Sequence, residues 1–413
     1  MAGSGYGQLL NPNNQKIYLA TPVPPSIPNR VEEINAVLTS LLLNPPNAGV
    51  AGKSSTPLPR DGFIYKTIHA ILTMSVTASG ATGATVNSTQ EQKNIVNTVN
   101  VYQSSGEAFW SLRGANIDIL NRFFRNIRAT NNLPGETYVT SASAGTTQVK
   151  FMFDIDFQDP TVFPKLYSAL NIDKNVGITQ ANLDFLFDAF ARFIAGDSAG
   201  TYTIENLRYF FDILDPSIPS FSAVPGAGVD IIDAEYTQTT QFPRFQPNVM
   251  SSQLLTGSQN QELNLPIGLA YRGVLLQEWQ AGNQVPALND ITKLSLVRNR
   301  TDRKYDGIDT DGINLDNNIR YDTDLFANYA QNLYFLDACP NKDIMQAVNT
   351  AVGGLQFAEW YLSVTNNTSG NLLDIIPLVF QVPALPTKHP AQNNGSKGVK
   401  KPLSSSSGKA SGG

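Results

Sequence analysis

The sequence predicts an all-β fold of two tandem jelly rolls, with short helices in the loops and a helical N-terminal arm. Three observations lead to this prediction. Apolar and polar residues alternate with a period of two in several segments, which is typical of half-buried strands. Stretches rich in Gly, Pro and Asn separate these segments at the spacing of Greek-key sandwiches and jelly rolls. The segment LPIGLAYRGVLLQEW, residues 265–279, also has a fainter copy at residues 61–76.

The two copies align when 206 is added to the earlier positions, and further segments repeat in the same order at smaller offsets. A falling offset is expected when two domains share a strand order and the second has shorter loops, because surface loops tolerate changes of length that paired strands do not. The matched positions are Gly62/Gly268, Tyr65/Tyr271, Lys66/Arg272 and Ile68/Val274 at offset 206, Val96/Ile291, Val99/Leu294 and Val101/Leu296 at 195, Phe151/Tyr334, Phe153/Leu336 and Asp154/Asp337 at 183, and Leu183/Leu355 and Phe185/Phe357 at 172.

Length and composition agree with two domains and argue against several functions. A chain of 413 residues is long for one hydrophobic core. Charged residues make up 15% of it, below the roughly 25% of soluble domains, so its surface is rich in neutral polar groups that suit packing against copies of itself. The net charge of -5 is unlike that of a nucleic-acid-binding domain.

The expected environment is a reducing cytoplasm. The sequence starts without a signal peptide, and no apolar run approaches the roughly 18 residues that span a bilayer, so a soluble polypeptide is expected. The lone cysteine, Cys339, is expected to be a buried thiol rather than a nucleophile. Two histidines, His69 and His389, are too few for a multi-histidine metal site, and neither has the setting of a catalytic triad.

The N-terminal region, residues 1–55, is predicted to be an arm. Its start is rich in Gly, Asn and Pro and is expected to be extended. Asn29 and Glu32 then form a candidate capping box before apolar residues at helical spacing, which predicts a helix that ends at Pro45. With Arg30 as its one cation, this helix is expected to pack on protein rather than on anionic lipid.

The first jelly roll is predicted at residues 56–215. Its first strand alternates clearly and places His69 on the polar face. The segment 178–187 fits both a strand, with Leu183 and Phe185 on one face, and a helical stripe, and the strand is preferred. The expected elements are a strand at 64–76, a polar loop at 79–92, a strand at 95–102, an amphipathic stretch at 108–124, a strand at 148–157, a short helix at 163–172, the segment 178–187 and a strand at 202–214.

A stretch rich in Pro and Gly at residues 216–228 predicts the boundary between the domains. The linker, residues 216–261, is expected to contain a bridging strand at 228–242 and a polar loop at 253–261. The second jelly roll is predicted at residues 262–384. Its expected strands lie at 267–279, 290–298, 331–339, 354–364 and 372–381.

The densest group of carboxylates lies at residues 305–318, with the sequence YDGIDTDGINLDNN. Asp309, Asp311 and Gly312 match part of a calcium-binding loop, but a glycine and an asparagine stand at its first and last ligand positions. A solvated loop is expected, and calcium binding is left open. No carboxylate pair stands out by its spacing, so no catalytic, cofactor-binding or metal-binding residue and no cofactor is predicted.

The C-terminal region, residues 385–413, is predicted to be a flexible basic tail. Dispersed lysines without any acidic residue fit either contact with nucleic acid or lipid headgroups, or simple solvation of a flexible end. These lysines are Lys388, Lys397, Lys400, Lys401 and Lys409.

Together these features resemble the double jelly-roll major capsid proteins of tectivirus-like and adenovirus-like viruses. The resemblance rests on the arm, on the strand entry LPIGLAYRGVLL, and on the succession of QVKFMFDIDF, FPKLYSALNI and ITQANLDFLF, and it covers about residues 56–383. It implies a structural protein without enzymatic activity. Three copies would form a trimer with a pseudo-sixfold outline, and trimers would tile an icosahedral shell that encloses the genome.

The resemblance also implies partners and a location. The partners would be the chain itself, neighbouring trimers, vertex or penton proteins and minor capsid proteins, with an internal membrane or the genome contacting the arm or the tail, and no small-molecule substrate. The location would be a virion capsid, such as that of a bacteriophage, assembled in the host cytoplasm. A pseudo-sixfold trimer needs two similar domains in each chain, which the internal repeat provides.

Two other functions stay open on the sequence alone. A receptor-binding or carbohydrate-binding β protein, such as a spike or lectin, would present Trp279 or Trp360 to a sugar. Trp360 alternates with Leu362, however, which favours a packed core. A polysaccharide hydrolase on a β sandwich requires two carboxylates in a cleft, and the sequence nominates none.

Overall fold

The structure is a computed structural model in which the described residues all belong to one compact unit, Met1–Pro383. The described residues are 8–10, 16–18, 29–35, 52–58, 64–103, 108–125, 127, 133, 135–157, 159, 170–171, 181–214, 244–247, 253–257, 260–280, 290–298, 302–321, 333–341, 347–350 and 359–381. Gln8–Leu10 and Lys16–Tyr18 pair as a short antiparallel ladder. Within these residues, no helix has the length and apolar character that crossing a membrane requires.

The first half forms a sandwich of two antiparallel sheets. Its eight long strands are β1 (Asn29–Asn35), β2 (Lys53–Pro57), β3 (Ile64–Ala78), β4 (Val96–Gln103), β5 (Ala108–Leu112), β6 (Gly145–Asp156), β7 (Ala181–Phe187) and β8 (Thr201–Leu214). One sheet has the order β1-β8-β3-β6 and the other β2-β7-β4-β5. Leu170–Asn171 also pairs with β3, and Thr85–Val86 pairs with Ile194–Ala195 beside the short 3-10 helix Phe190–Arg192.

The second half repeats this arrangement. Its strands are β9 (Arg244–Pro247), β10 (Asn260–Asn264), β11 (Ala270–Trp279), β12 (Ile291–Arg298), β13 (Asp302–Asp309), β14 (Leu333–Asp337), β15 (Trp360–Asn366) and β16 (Leu372–Gln381). The sheets have the orders β9-β16-β11-β14 and β10-β15-β12-β13. Gln253–Leu254 pairs with β16, and Val348–Asn349 pairs with β11.

Each strand of the first sandwich therefore has its counterpart eight strands later. In both halves the first, eighth, third and sixth strands form one sheet, and the second, seventh, fourth and fifth form the other, which is the strand order of a jelly roll. A β-bulge even falls at the same place, since the pairing with the eighth strand skips Lys66 in β3 and Arg272 in β11. The predicted fold class, all-β with two tandem jelly rolls and short helices in the loops, is confirmed.

Strand pairing identifies the equivalent residues and corrects the alignment of the sixth strand. Asp156 pairs with Thr67, and Asp337 pairs with Gly273, 206 positions after Thr67. Asp337 is therefore the counterpart of Asp156, at an offset of 181, and not of Asp154 as the sequence suggested. A slip of two residues keeps every side chain on the same face of a strand, so alternation alone could not detect it.

The alignment of the seventh strand needs a larger correction, from an offset of 172 to one of 179. Leu183 pairs with Val101, and Leu362 pairs with Leu296, so Leu183 is equivalent to Leu362 at an offset of 179. The predicted matches at an offset of 172, Leu355 and Phe357, were wrong and lie outside the described residues. The predicted fall of the offset is nevertheless confirmed. It decreases from 216 at the first strand pair, Val31 and Pro247, to 166 at the last, Phe210 and Ile376.

The third strand differs in burial between the halves. In β3, the side chains of Ile68, Leu72 and Met74 are buried in the core, and those of His69 and Ile71 lie half-buried on the outer face, as the alternation predicts. In β11 all ten residues are buried, because one face lies on the core of its own sandwich and the other is covered. The two sandwiches therefore share a continuous apolar contact.

Three described helices lie in the loops. They are α1 (Thr89–Lys93), α2 (Gly114–Arg125) and α3 (Thr310–Tyr321). The polar loop predicted at 79–92 contains α1, which begins with a capping box between Ser88 and Glu91. The amphipathic stretch predicted at 108–124 comprises β5 and α2.

The carboxylate-rich segment at 305–318 was expected to be a solvated loop, and this expectation is wrong. It comprises the end of β13 and most of α3. The carboxylate of Asp309 accepts a hydrogen bond from the backbone N–H of Asp311 at 2.9 Å. Acidic side chains satisfy the free N–H groups of a first helical turn, which explains why this sequence starts a helix.

The helix predicted from Asn29 onward is also wrong over the described residues 29–35. They form β1, which pairs with β8 along its whole length. Apolar residues at helical spacing are a weak signal when an exposed sheet edge offers a full ladder of hydrogen bonds. The preference for a strand at 178–187 is confirmed by β7, whereas the polar loop predicted at 253–261 contains two strand segments.

Several predicted elements lie outside the described residues. They are the short helix at 163–172, apart from the strand residues Leu170–Asn171, the bridging strand at 228–242 and the basic tail at 385–413. The four boundaries between the five predicted regions stay predictions. Two further strands precede or overlap residue 56 in the first sandwich, and β9 joins the second sandwich from within residues 216–261.

Candidate functional site

The contact between the two sandwiches combines aromatic, hydrogen-bonding and charged side chains. Its centre is Phe123 of α2, whose ring lies 4.6 Å from that of Tyr321 and 5.0 Å from that of Phe335, both in the second sandwich. Leu275 and Ile376 on the outer face of β11 and β16 join the same apolar cluster. The helix after the fifth strand therefore fills the space between the sandwiches.

Polar groups also cross this contact at defined positions. Asn116 of α2 donates its side-chain amide to the side chain of Gln277 in β11 at 2.6 Å. Arg113 lies 3.6 Å from the carboxylate of Asp374. Because these groups are buried or half-buried, their geometry restricts how one sandwich sits on the other.

Arg272 is the main charged group of the contact. It is fully buried and pairs with Asp337 of its own sandwich and with Asp159 of the first at 3.3 Å. Its guanidinium also donates to the hydroxyl of Tyr321 at 2.9 Å. Burial lowers the pKa of Arg272, but the charges of Asp159 and Asp337 outweigh it and raise the pKa above its usual value. A planar guanidinium suits two carboxylates from different directions, so Arg272 connects the two halves.

A second buried ion cluster lies within the first sandwich. Lys93 at the end of α1 is fully buried, pairs with Glu136, and lies 3.2 Å from Asp118 in α2. Asp118 in turn accepts a hydrogen bond from Arg122 at 2.9 Å. The cluster holds α1 and α2 together beneath the rings of Phe151 and its neighbours. It positions α2 for its contact with the second sandwich.

A third group of charges lies on the outer face of the first sandwich. His69 and Asp154 approach to 2.7 Å, and Arg125 lies 2.8 Å from Asp154 and 3.1 Å from Asp156. Hydrogen bonding to Asp154 raises the pKa of His69 although burial opposes it. His69 lies on the polar face of β3, as the alternation predicts, and it has a carboxylate partner there.

The two tryptophans and the cysteine that the sequence offered for sugar binding or reactivity are buried. Trp279 and Trp360 are 0% and 2% exposed, and Trp279 donates its ring N–H to Asp374 at 2.9 Å, so neither ring is available to stack on a sugar. Cys339 is also buried, and burial raises the pKa of its thiol to about 12, which keeps it protonated at neutral pH. Within the described residues, no three His, Cys, Asp or Glu side chains converge as a metal site would require.

The surface also carries apolar side chains that sequence reasoning missed. Leu315 and Ile319 of α3 are 62% and 73% exposed. On the outer face of the first sandwich, Ile71, Met152 and Phe210 are half-buried. Large apolar side chains exposed together are typical of a surface that contacts another protein.

Comparison with solved structures finds the same two-sandwich fold in viral capsid proteins. The crystal structure of the STIV major capsid protein covers 86% of this chain and 97% of its own, with a TM-score of 0.58 and 15% identity. The atomic structure of Sulfolobus Turreted Icosahedral Virus covers 86% and 91%, with a TM-score of 0.58 and 14% identity. A quasi-atomic PBCV-1 virus capsid structure covers 87% and 95%, with a TM-score of 0.53 and 12% identity.

These matches span both sandwiches, so the whole described chain has the double jelly-roll fold. No protein-family model matches the sequence, and no curated protein matches it either. At identities of 12–15% the likeness establishes the architecture.

Proposed function

We propose that this chain is a viral major capsid protein. The observation that carries the proposal is the pairing of two jelly rolls of identical strand order in one compact unit, a fold that matches 86–87% of the chain in structures of STIV and PBCV-1 capsid proteins. Its role is mechanical and not enzymatic, and its place is the capsid of a virion. The buried Arg272 contact supports this role, because it fixes two similar domains into one building block.

The building block is proposed to be a homotrimer. Three chains with two similar sandwiches each give six similar positions around a threefold axis, and such a pseudo-hexameric unit can tile an icosahedral shell around a genome. A surface with few charges supports close packing of these units. Neighbouring trimers, minor capsid proteins and a vertex or penton protein are the proposed further partners.

The termini are proposed to make the remaining contacts. The arm and the basic tail at 385–413 would connect trimers or face inward, towards a genome or an internal membrane, with assembly in the host cytoplasm. The similar structures include one named for Sulfolobus, so the fold extends beyond bacteriophages, and a bacteriophage origin stays a prediction.

A receptor-binding or carbohydrate-binding role is the second candidate. It is less well supported, because the tryptophans that would stack on a sugar are buried, Trp279 at 0% and Trp360 at 2% exposure. The α3 surface, with its exposed apolar side chains, fits protein contacts better than it fits a sugar.

The deciding experiment is light scattering of the purified full chain, followed by electron microscopy of the same sample. A trimer with a hexagonal outline, or closed shells, is the expected result. A monomer at every concentration and salt condition would contradict the proposal, and glycan binding by that monomer would support the second candidate.

A further inference from the structure

The helix that follows the fifth strand is placed in the same way in both sandwiches. The side-chain amide of Asn121 in α2 donates to the carbonyl oxygen of Asp154 in β6 at 2.9 Å, and that of Asn317 in α3 donates to the carbonyl oxygen of Phe335 in β14 at 2.9 Å. Asn317 follows Asn121 by 196 positions, the offset that strand pairing gives at the end of β5 and β13 next to the helix, where Leu112 matches Ile308. The two helices are therefore equivalent residue by residue.

Two apolar positions of this helix have opposite surroundings in the two halves. In α2 they are Ile119 and Phe123, which are 0% and 3% exposed. In α3 they are Leu315 and Ile319, which are 62% and 73% exposed. Residues four apart lie on one side of a helix, so each pair forms a single apolar contact surface. On α2 the second sandwich covers that surface, and on α3 no described residue does.

The face that receives α2 has a counterpart as well. It is the outer face of β11, β14 and β16, where Gln277 and Phe335 contact α2 and where Leu275 and Ile376 are buried in the same cluster. Strand pairing places half-buried apolar residues of the first sandwich at the equivalent positions. The equivalent pairs are Gln277/Ile71, Leu333/Met152 and Ile376/Phe210. The molecule thus contains one helix and one sheet face that match the internal contact but do not meet within the chain.

We propose that α3 of one copy docks on the outer face of the sheet β1-β8-β3-β6 of a second copy, with Leu315 and Ile319 against Ile71 and Phe210. The contact repeats between chains what α2 does within a chain. This inference rests on the proposed function, for which it names the interface of the trimer. Each copy offers one helix and one receiving face, so the contact is head-to-tail, and the proposed trimer requires its rotation to close as a ring of three.

The receiving face is more polar than its internal counterpart. His69 and Asp154 stand where the second sandwich has Leu275 and Phe335. A more polar face suits a contact between chains that fold separately and are soluble before they meet. His69 and Asp154 already pair at 2.7 Å, and Asp154 also pairs with Arg125, so a helix can cover these three groups without leaving one of them uncompensated. Arg208, opposite Ile71 in the same sheet, lies over the ring of Phe210 at 5.7 Å.

Ile319→Arg tests the helix side of the contact. Because Ile319 is 73% exposed, the arginine leaves the fold unchanged, but it introduces a charge at the centre of the docked surface. Association measured by light scattering over a dilution series of the full chain is expected to weaken by at least about 30-fold. The matched control, Ile267→Arg, places the same charge on another exposed isoleucine, outside α3, and is expected to keep the wild-type mass.

Ile71→Arg tests the sheet side, and a mixture of the two variants tests the geometry. Each variant alone is expected to be monomeric. In an equimolar mixture one working contact remains, between α3 of the Ile71→Arg chain and the sheet of the Ile319→Arg chain, so growth stops at a dimer. Thermal unfolding close to that of the wild type verifies the fold, and Phe210→Ala replaces Ile71→Arg if the latter unfolds.

The outcomes separate the docking contact from the proposed function. A wild-type mass for Ile319→Arg, or a mixture that rebuilds complete trimers, overturns the docking contact while the wild-type trimer still supports a capsid protein. A wild-type chain that stays monomeric overturns both. Loss of assembly in the Ile267→Arg control as well would overturn the assignment to α3.

Discussion

Lys66 and Arg272 occupy the same β-bulge in the two sandwiches, yet their charges have different surroundings. Lys66 pairs with Asp212 at 3.0 Å, and both side chains keep some contact with solvent. Arg272 is fully buried and is held by carboxylates from both halves of the chain. The difference lies in what covers the outer face, since α2 covers the face of the second sandwich. A repeated backbone position is thus used twice, once near the surface and once as the centre of a domain contact.

The comparison suggests how the two halves are kept in one relative position. Apolar contacts such as Phe123 on Phe335 provide most of the attraction between the sandwiches, but they restrict the angle between the sandwiches only weakly. A buried guanidinium with two carboxylates restricts that angle strongly, since a small shift of one sandwich against the other leaves a charge unpaired at low dielectric. A capsid building block requires both properties, because errors in domain angle would accumulate around a ring.

The largest expected effect comes from removing the buried charge. Arg272→Met leaves the carboxylates of Asp337 and Asp159 buried together without their cation, and it is expected to lower the free energy of unfolding by about 3–5 kcal/mol. Lys66→Met makes the same change at the equivalent position near the surface and is expected to cost about 1 kcal/mol or less. Urea unfolding at one fixed protein concentration measures both losses. Equal losses would contradict the role given to the domain contact.

The equivalent helices α2 and α3 differ in how far their apolar side chains are buried. Phe123→Ala is expected to lower the free energy of unfolding by about 3 kcal/mol, because it leaves a cavity between the sandwiches. The matched variant at the equivalent position, Ile319→Ala, changes an exposed residue and is expected to stay within about 0.5 kcal/mol of the wild type when both are measured as monomers. A large loss for Ile319→Ala would mean that α3 is covered within its own chain.

The overall architecture was predictable because the third strand has a detectable repeat. Tyr65 and Tyr271, and likewise Lys66 and Arg272, are equivalent in the structure as in the sequence. The later alignments failed where strands such as β7 offered little beyond alternating apolar residues. Alternation fixes the face of a residue but not its place along the strand, which depends on pairing partners distant in sequence.

The helices were the weaker part of the prediction for a related reason. Residues 29–35 have a helical pattern but form β1, because the edge of β8 was available to pair with them. The aspartates at the start of α3 predict a loop when they are compared with calcium ligands, whereas in the structure they are helix-start residues. A comparison with α2 at an offset of 196 would have revealed it, since Ile117 and Asn121 fall on Ile313 and Asn317.

The smallest expected effect concerns pH. Asp154 raises the pKa of His69, so protonated His69 stabilises the folded chain fully below the unfolded pKa of about 6.5, and this stability is lost as the pH rises through the higher folded pKa. His69→Leu, which installs the residue type of the equivalent Leu275, removes this dependence. Because the face is partly exposed, the change is expected to be below about 1 kcal/mol between pH 6 and 9.

The measurement is the difference in unfolding free energy between the wild type and His69→Leu at several pH values. The subtraction is needed because burial raises the pKa of Glu278 to about 7, so this second group also destabilises the folded chain as the pH rises from about 4.5 to 7. Glu278 is present in both proteins, so its contribution to the pH dependence cancels in the difference. A difference that stays constant from pH 6 to 9 would show that the Asp154 contact does not hold the proton on His69.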